Sequence, residues 1–163
     1  MKKYLVIGKP IDHSLSPSLH NFWLKKHNIN AVYEKKETTN EEIKDLIEEV
    51  KKKKINGMNI TVPFKKVVIP YLDVLTPEAN ITKSVNTIYL DKGKIVGHNT
   101  DIEGFEISLK KINYEIKNKK IFILGSGGVV PSIILACNKM KVSQITISNR
   151  TRDKAENLKK LFK

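Results

Sequence analysis

Hydrophobic and polar positions along the chain alternate between two periods. Tyr4 to Gly8 is a short β-branched run ending in glycine and reads as a buried strand. Ser16-Pro17 predicts a helix start, with Ser16 as N-cap and Pro17 in the first turn. Leu19, Phe22, Trp23 and Lys26 then keep helical spacing to about His27. Ala31 to Lys36 reads as a second strand. Thr39 or Asn40 should cap a helix running to about Lys53, with Ile43, Leu46, Ile47 and Val50 as its apolar stripe.

Ile55 to Val62 predicts a third strand, closed by Pro63, which cannot donate to a ladder. Short helical pieces are expected over Val67 to Leu72 and Pro77 to Ile81. Val85 to Leu90 and Lys94 to Val96 read as strands joined by a turn at Asp91-Lys92-Gly93. Asp101 opens a helix to about Ile112. After polar residues 113–119 come a strand (Lys120 to Leu124), the turn Gly125-Ser126-Gly127-Gly128, an apolar helix to about Met140, a strand (Gln144 to Ser148) and a helix from Thr151.

Strands alternating with helices predict an α/β fold with mostly parallel sheets. The composition shift sets the expected boundary. Residues 1–113 should form a three-layer α/β substrate domain, and residues 114–163 a partial Rossmann-like dinucleotide-binding domain. Such a domain needs two mononucleotide halves. Only strand, helix, strand, helix follow Lys120, so the expectation is a fragment of a longer chain, or one completed by another polypeptide.

Composition narrows the class. With 40% hydrophobic and 29% charged residues, the chain can build a core. The net charge of +13 raises the question of anionic partners. Yet the excess is scattered lysine, with Arg150 and Arg152 the only arginines, unlike a clustered nucleic-acid footprint. Cys137, the one cysteine, sits in an apolar run and reads as a small core residue. No stretch has the length of a signal peptide's apolar core or a membrane span, so a cytoplasmic protein is expected. The four histidines lack ligand spacing and predict no metal site.

Two sets of residues could carry chemistry. Glycines between a strand and a helix let backbone amides face an anion at the helix N-terminus. Here the turn after Leu124 has Val130 at the usual third-glycine position. At the end of the next strand, where an acidic residue would favour NAD, stands Asn149-Arg150-Thr151, with Arg152 and Lys154 beyond. A guanidinium and a hydroxyl suit a 2′-phosphate, so NADP is expected over NAD. The plain alternative, a basic helix start, opposes the helix dipole. In the first half, Ser14, Ser16, Asn59, Thr61, Lys65, Asn86, Asn99, Thr100 and Asp101 fall at element ends, where α/β folds place ligands. Each also has a bland reading as a cap or turn residue.

Six segments carry a resemblance over essentially the whole chain: 13–21 (HSLSPSLHN), 57–65 (GMNITVPFK), 84–87 (SVNT), 97–105 (GHNTD with Gly104-Phe105), 125–128 and 149–151. In this order and spacing the chain resembles the shikimate dehydrogenase family. The resemblance implies NADP-dependent, reversible reduction of 3-dehydroshikimate to shikimate in aromatic amino acid biosynthesis. It implies Ser14 and Ser16 on the substrate carboxylate, and Thr61, Lys65, Asn86 and Asp101 around the ring hydroxyls. Lys65 and Asp101 would be the catalytic pair. The cofactor candidates are Gly125, Ser126, Gly127, Gly128 and Val129 on the turn, and Asn149, Arg150, Thr151 and Lys154 beyond the second strand.

The turn departs from the family at Val129-Val130-Pro131-Ser132, where Pro131 removes a donor near the phosphates. Two rival functions remain from sequence: a relative oxidising quinate or using NAD, and a non-catalytic basic module binding RNA. The expected partner is a small molecule, not nucleic acid or membrane, and a homodimer is among the assemblies considered.

Overall fold

The computed structural model describes residues 1–162. The chain divides into two compact units, Met1–Thr76 with Val85–His98, and Pro77–Ser84 with the residues from Asn99 onward.

The first unit is a six-stranded sheet with helices. Its elements are β1 (Lys2–Gly8), α1 (Ser16–Lys26), β2 (Ala31–Glu37), α2 (Ile43–Lys51), β3 (Gly57–Ile60), β4 (Val74–Leu75), β5 (Thr87–Asp91) and β6 (Lys94–His98). The strand order is β2-β1-β3-β5-β6-β4. β1 pairs parallel with β2 and β3, and β4 with β6, while β5 runs antiparallel to both its neighbours. The expected mostly parallel α/β sheet is therefore present. Leu5, Val6 and Ile7 are buried one after another, which requires both faces of β1 to be covered. α2 buries Ile43, Leu46, Ile47 and Val50, the stripe expected from sequence, and packs on β5 and β6.

Several local expectations need correction. Ser16 is not an N-cap: Leu15 holds that position, and Ser16 is the first helical residue. Its N–H donates to Ser14 Oγ at 3.3 Å, so the capping role falls to the earlier serine. α1 forms as expected, but its apolar spacing marks no buried stripe, since Leu19, Phe22 and Trp23 are all exposed. Neither Thr39 nor Asn40 caps α2, which starts at Ile43. Instead the Glu42 carboxylate reaches back to accept the Thr39 N–H at 2.8 Å, the return half of a capping box. β3 is shorter than expected, because beyond Ile60 the chain leaves the ladder with one last bond, Thr61 N–H to the Ile7 carbonyl (3.0 Å). The helical piece expected over Val67 to Leu72 is a 3₁₀ turn, Ile69–Tyr71. The two-residue β4 escaped the sequence pattern. The β5–β6 hairpin turns at Lys92-Gly93, both at positive φ, as tight hairpins favour.

The second unit contains α3 (Pro77–Thr82), α4 (Asp101–Lys111), β7 (Lys120–Leu124), α5 (Val130–Lys139), β8 (Gln144–Ser148) and α6 (Arg152–Leu161). β7 and β8 form a two-stranded parallel sheet. Ile123, Ile145 and Ile147 pack against Val130, Ile134 and Leu158. On the alternate positions of β7, Phe122 and Leu124 are exposed. Ile102 of α4 meets Leu135 and Ala136 of α5, which groups α4 with α5. Cys137 is buried, and burial pushes its thiol up, as befits a core residue. Residues 115–117, in the polar stretch, belong to no helix or strand.

Candidate functional site

In the first unit, β1 ends at Gly8 and the chain loops through Ile11 to α1. Ser14 N–H donates to the Ile11 carbonyl (3.0 Å), which sets the loop. Ser14, Ser16 and Thr61 line one cavity of about 240 Å³, with Val6, Pro10, Ile11 and His13. Gly8 is needed here for close approach: a Cβ on it would sit 2.5 Å from Thr61 Cγ2. Three of the residues expected to bind substrate are thus gathered from two chain segments.

Lys65 follows the Thr61–Phe64 turn, closed by Phe64 N–H on the Thr61 carbonyl (2.9 Å) and anchored by buried Phe64. Lys65 is half-buried and its neighbour Lys66 exposed. The Lys65 carbonyl accepts the Val85 N–H at 2.9 Å, tying it to the segment that carries Asn86. Asn86 has its backbone pinned twice, N–H to the His98 carbonyl (3.0 Å) and carbonyl from Ile60 N–H (2.9 Å). Thr87 Oγ1 lies 3.0 Å from Asn86 Oδ1. Next along are Asn59 Nδ2 on Thr87 Oγ1 (3.1 Å) and Tyr33 Oη on Asn59 Oδ1 (2.6 Å). Sequence reasoning named Asn59 and quoted Thr87 but missed Tyr33, a strand residue with no local signal of polar use. His98, in the quoted segment 97–105, holds Thr76 Oγ1 at 3.0 Å from its Nδ1.

In the second unit Asp101 is the first residue of α4, with Thr100 at the N-cap. The Asn99 side chain supplies the cap contact, its Oδ1 accepting the Asp101 N–H at 3.0 Å. Asn99 is buried, and its Nδ2 reaches Thr82 Oγ1 (3.1 Å), the Ser84 carbonyl (3.0 Å) and Ser132 Oγ (2.9 Å). Ser132 and Thr82 were missed; a small polar residue inside an apolar helix was the available signal.

The glycine-rich turn runs from Gly125 to Val129. Gly125 has φ +106°, open only to glycine without strain, and its N–H donates to the Ser148 carbonyl at 2.7 Å. That bond brings the turn beside Asn149-Arg150-Thr151. Gly127 and Gly128 are exposed, and a Cβ on either would meet nothing within 4 Å. No side chain caps α5 at Val129, and Pro131 is accommodated in the first helical turn. The Asn149 amide donates to the Thr151 carbonyl (2.7 Å), while Arg150, Thr151 and Lys154 are exposed. The turn therefore has open space, an uncapped helix N-terminus and cationic side chains on adjacent segments. Among the described residues no cluster of metal-ligating side chains occurs, and no helix is long and apolar enough to cross a membrane.

A hydroxyl-lined α/β pocket in one unit, and a strand–glycine turn–helix with a basic strand end in the other, define a two-unit α/β protein of the dinucleotide-binding class. Comparison with known proteins makes this specific. Residues 6–88 match the shikimate dehydrogenase substrate binding domain, and residues 106–163 match shikimate / quinate 5-dehydrogenase. The chain belongs to the shikimate dehydrogenase family. It is 59% identical to the shikimate dehydrogenase (NADP(+)) of Pelagibacter ubique, over 99% of this chain and 61% of that one. Among solved structures, the Aquifex aeolicus shikimate dehydrogenase superposes with TM-score 0.92 at 40% identity, covering 99% of this chain and 60% of that one. The Thermus thermophilus enzyme in complex with NADP(H) and shikimate gives 0.90 at 32%, covering 99% and 61%. The chain thus spans about 60% of the length of these relatives.

Proposed function

We propose that this chain is the substrate-binding side and the beginning of the cofactor side of an NADP-dependent shikimate dehydrogenase. The reaction is the reversible reduction of 3-dehydroshikimate to shikimate. The observation that carries the reading is the cavity shared by Ser14, Ser16 and Thr61, three residues of motifs that occur together in this family. We assign Ser14 and Ser16 to the substrate carboxylate, and Thr61, Lys65, Asn86 and Asp101 to its ring oxygens. The functional boundary we propose is 113/114, in the polar stretch before β7.

Hydroxyl and amide groups suit a polyhydroxylated ring because each buried polar group left unpaired costs about 1–3 kcal/mol. In the proposed chemistry Lys65 and Asp101 form the acid/base pair. The carboxylate orients the amine, and the amine polarises the substrate oxygen that gains or loses a proton. A placed acid/base of this kind contributes about 10²–10⁴-fold in rate. NADP, when bound, supplies or accepts the hydride. Gly125, Ser126, Gly127, Gly128 and Val129 would receive its pyrophosphate at the α5 N-terminus, and Asn149, Arg150, Thr151 and Lys154 its 2′-phosphate. The exposed, unobstructed turn fits that group.

The test is Lys65→Ala in the enzyme extended to the length of its relatives. We expect most turnover to be lost and circular dichroism to be unchanged; near-normal rates would overturn the assignment. A second reading, oxidation of quinate or use of NAD, draws on the quinate in the family description and on a Listeria monocytogenes shikimate 5-dehydrogenase structure in complex with shikimate and NAD. Assays of both substrates with both cofactors separate the two, and Arg150 with Thr151 favours NADP. A basic RNA-binding module would instead show salt-sensitive retention on RNA and no oxidation of NADPH by dehydroshikimate. The partner we propose is a small molecule in the cytoplasm, not nucleic acid or membrane. Sedimentation tests for a homodimer.

A further inference from the structure

The segment that carries Ser14 and Ser16 is tied to one strand at both of its ends. At the near end Lys35 of β2 donates from Nζ to the Asp12 carbonyl (2.7 Å), and the Asp12 carboxylate lies 3.6 Å from the same ammonium. At the far end Asn21 of α1 holds the backbone of Tyr33 on β2. Its Oδ1 accepts the Tyr33 N–H (2.9 Å) and its Nδ2 donates to the Tyr33 carbonyl (2.7 Å). Residues 33 and 35 are two apart on a strand, so their side chains leave the same face of the sheet. On that face the Tyr33 ring stacks on His20 at 4.2 Å between centroids.

The Asn21 contact follows from the place of β2. This strand ends the sheet, so part of its backbone faces away from β1. The Tyr33 N–H and carbonyl find an acceptor and a donor in one side chain, and a primary amide supplies both. Asn21 thus does for Tyr33 what a further strand would do. The contact weighs heavily because α1 buries no side chain fully, and Leu15, Leu19, Phe22 and Trp23 are exposed. Leu24, partly buried against Val6, Ile11 and Tyr33, adds apolar contact. Such packing is non-directional, whereas two opposed hydrogen bonds fix how the helix is turned. Between the two ties the chain is braced from within. Ser14 N–H donates to the Ile11 carbonyl (3.0 Å), Ser16 N–H to Ser14 Oγ (3.3 Å) and Leu19 N–H to the Leu15 carbonyl (3.1 Å). A braced segment held at both ends has its middle placed, and its middle is the serine pair that shares a cavity with Thr61.

We propose that Asn21 and Lys35 are positioning residues that hold Ser14 and Ser16 against the edge of the sheet in the arrangement that receives a carboxylate. The inference deepens the proposed function and rests on it for the carboxylate, while the two ties rest on geometry alone.

The test uses Asn21→Leu, Lys35→Met and Lys35→Arg in the ¹⁵N-labelled 163-residue chain. The first readout is amide hydrogen exchange without ligand. We expect exchange at Ser14 and Leu19 to quicken about tenfold in Asn21→Leu and about threefold in Lys35→Met, whose tie is exposed to water. Ile60 and Thr61, bonded within the sheet, should keep their rates, and Lys35→Arg should behave as wild type. The second readout is calorimetry with shikimate and with its methyl ester, which lacks the carboxylate charge. We expect wild type to prefer shikimate, and both Asn21→Leu and Lys35→Met to lose much of that preference while binding the ester as before. Unchanged exchange at Ser14 and Leu19 overturns the ties, and so does equal quickening at Ile60 and Thr61, which would mean general loosening. Equal weakening of shikimate and ester overturns the positioning role. Lys35 is exposed, so its variants decide the matter even where Asn21→Leu does not fold. If wild type binds neither ligand, or both alike, the proposed carboxylate site is what fails, and the exchange rates still decide the ties.

Discussion

One chemical change, glycine to alanine, should have opposite effects at two positions. At Gly8 an added Cβ would lie 2.5 Å from Thr61 Cγ2, 3.0 Å from Ile11 Cδ1 and 3.1 Å from the Val62 carbonyl oxygen. Carbon atoms prefer about 3.5–4.0 Å, so the overlap with Thr61 is roughly 1 Å. Thr61 cannot simply turn away. It is β-branched and stiff at χ1, and its N–H is held by the Ile7 carbonyl. Strain of this kind costs about 1–3 kcal/mol. At Gly104, inside α4, the added methyl meets nothing within 4 Å. There the gain in helix propensity is about 0.5–1 kcal/mol. Urea unfolding followed by circular dichroism measures both. With a slope of about 1–3 kcal/mol/M, Gly8→Ala should lower the midpoint by roughly 1 M, and Gly104→Ala should raise it slightly. Gly8→Ala should also weaken shikimate binding, since Thr61 lines the cavity with Ser14 and Ser16. A Gly8→Ala protein with unchanged midpoint and affinity would refute the close approach on which the cavity's shape depends.

Other consequences are more local. Burial holds the His20 imidazole below its ordinary value. As pH falls through about 6.5 the unfolded chain takes up that proton first and stability is lost. His20→Phe should flatten this part of the urea-midpoint profile between pH 7 and 5, and an unaltered slope would show that His20 is not its source. Arg150→Ala should weaken NADPH binding by about tenfold, as loss of a charge-assisted contact does, and leave NADH nearly unaffected. Equal losses in calorimetry would remove the 2′-phosphate role. Asn99→Asp, which keeps the acceptor and loses both N–H donors, should destabilise the protein by about 1–3 kcal/mol in thermal unfolding; an unchanged melting temperature would argue against the Asn99 network.

Much of this architecture is legible in the sequence where burial has a period. The stripe Ile43, Leu46, Ile47, Val50 is buried as its spacing requires. The run at Tyr4 to Gly8 is a strand whose last four residues are all buried. Periodicity failed where an apolar face is not buried at all. Leu19, Phe22 and Trp23 share helical spacing, but α1 contains no fully buried residue. It failed again for β4, since two residues are too few to show a period. The starts of α1 and α2 were misplaced by one to three residues, while α4 begins at Asp101 as expected. At α1 the capping side chain stands outside the helix it serves, where Ser14 receives the Ser16 N–H. The segments quoted for the family resemblance contain Thr61, Lys65, Asn86 and Asp101, the residues that the proposed function assigns to the substrate.

What the sequence hides is how those residues are held, and the reason lies in the chemistry of asparagine. Each unit has one amide at the centre of its polar network, Asn59 in the first and Asn99 in the second. Asn99 must satisfy three acceptors on one side, Thr82 Oγ1, the Ser84 carbonyl and Ser132 Oγ, and one donor on the other, the Asp101 N–H. An aspartate would offer no donor and would bury a charge; a leucine would remove the contact that each of the four groups makes with Asn99. Asn59 faces the same mixed demand from Tyr33, Thr87 and the Asn86 carbonyl. Only a neutral side chain that both donates and accepts meets it, and glutamine would carry the amide one methylene too far. The partners are far apart in sequence and are polar for different local reasons, so no spacing rule connects them. They become a unit only when the strands are aligned. A substitution at either asparagine should therefore disturb the backbone its amide holds, at Asn86 in one case and at Asp101 in the other, together with the stability of the fold around it.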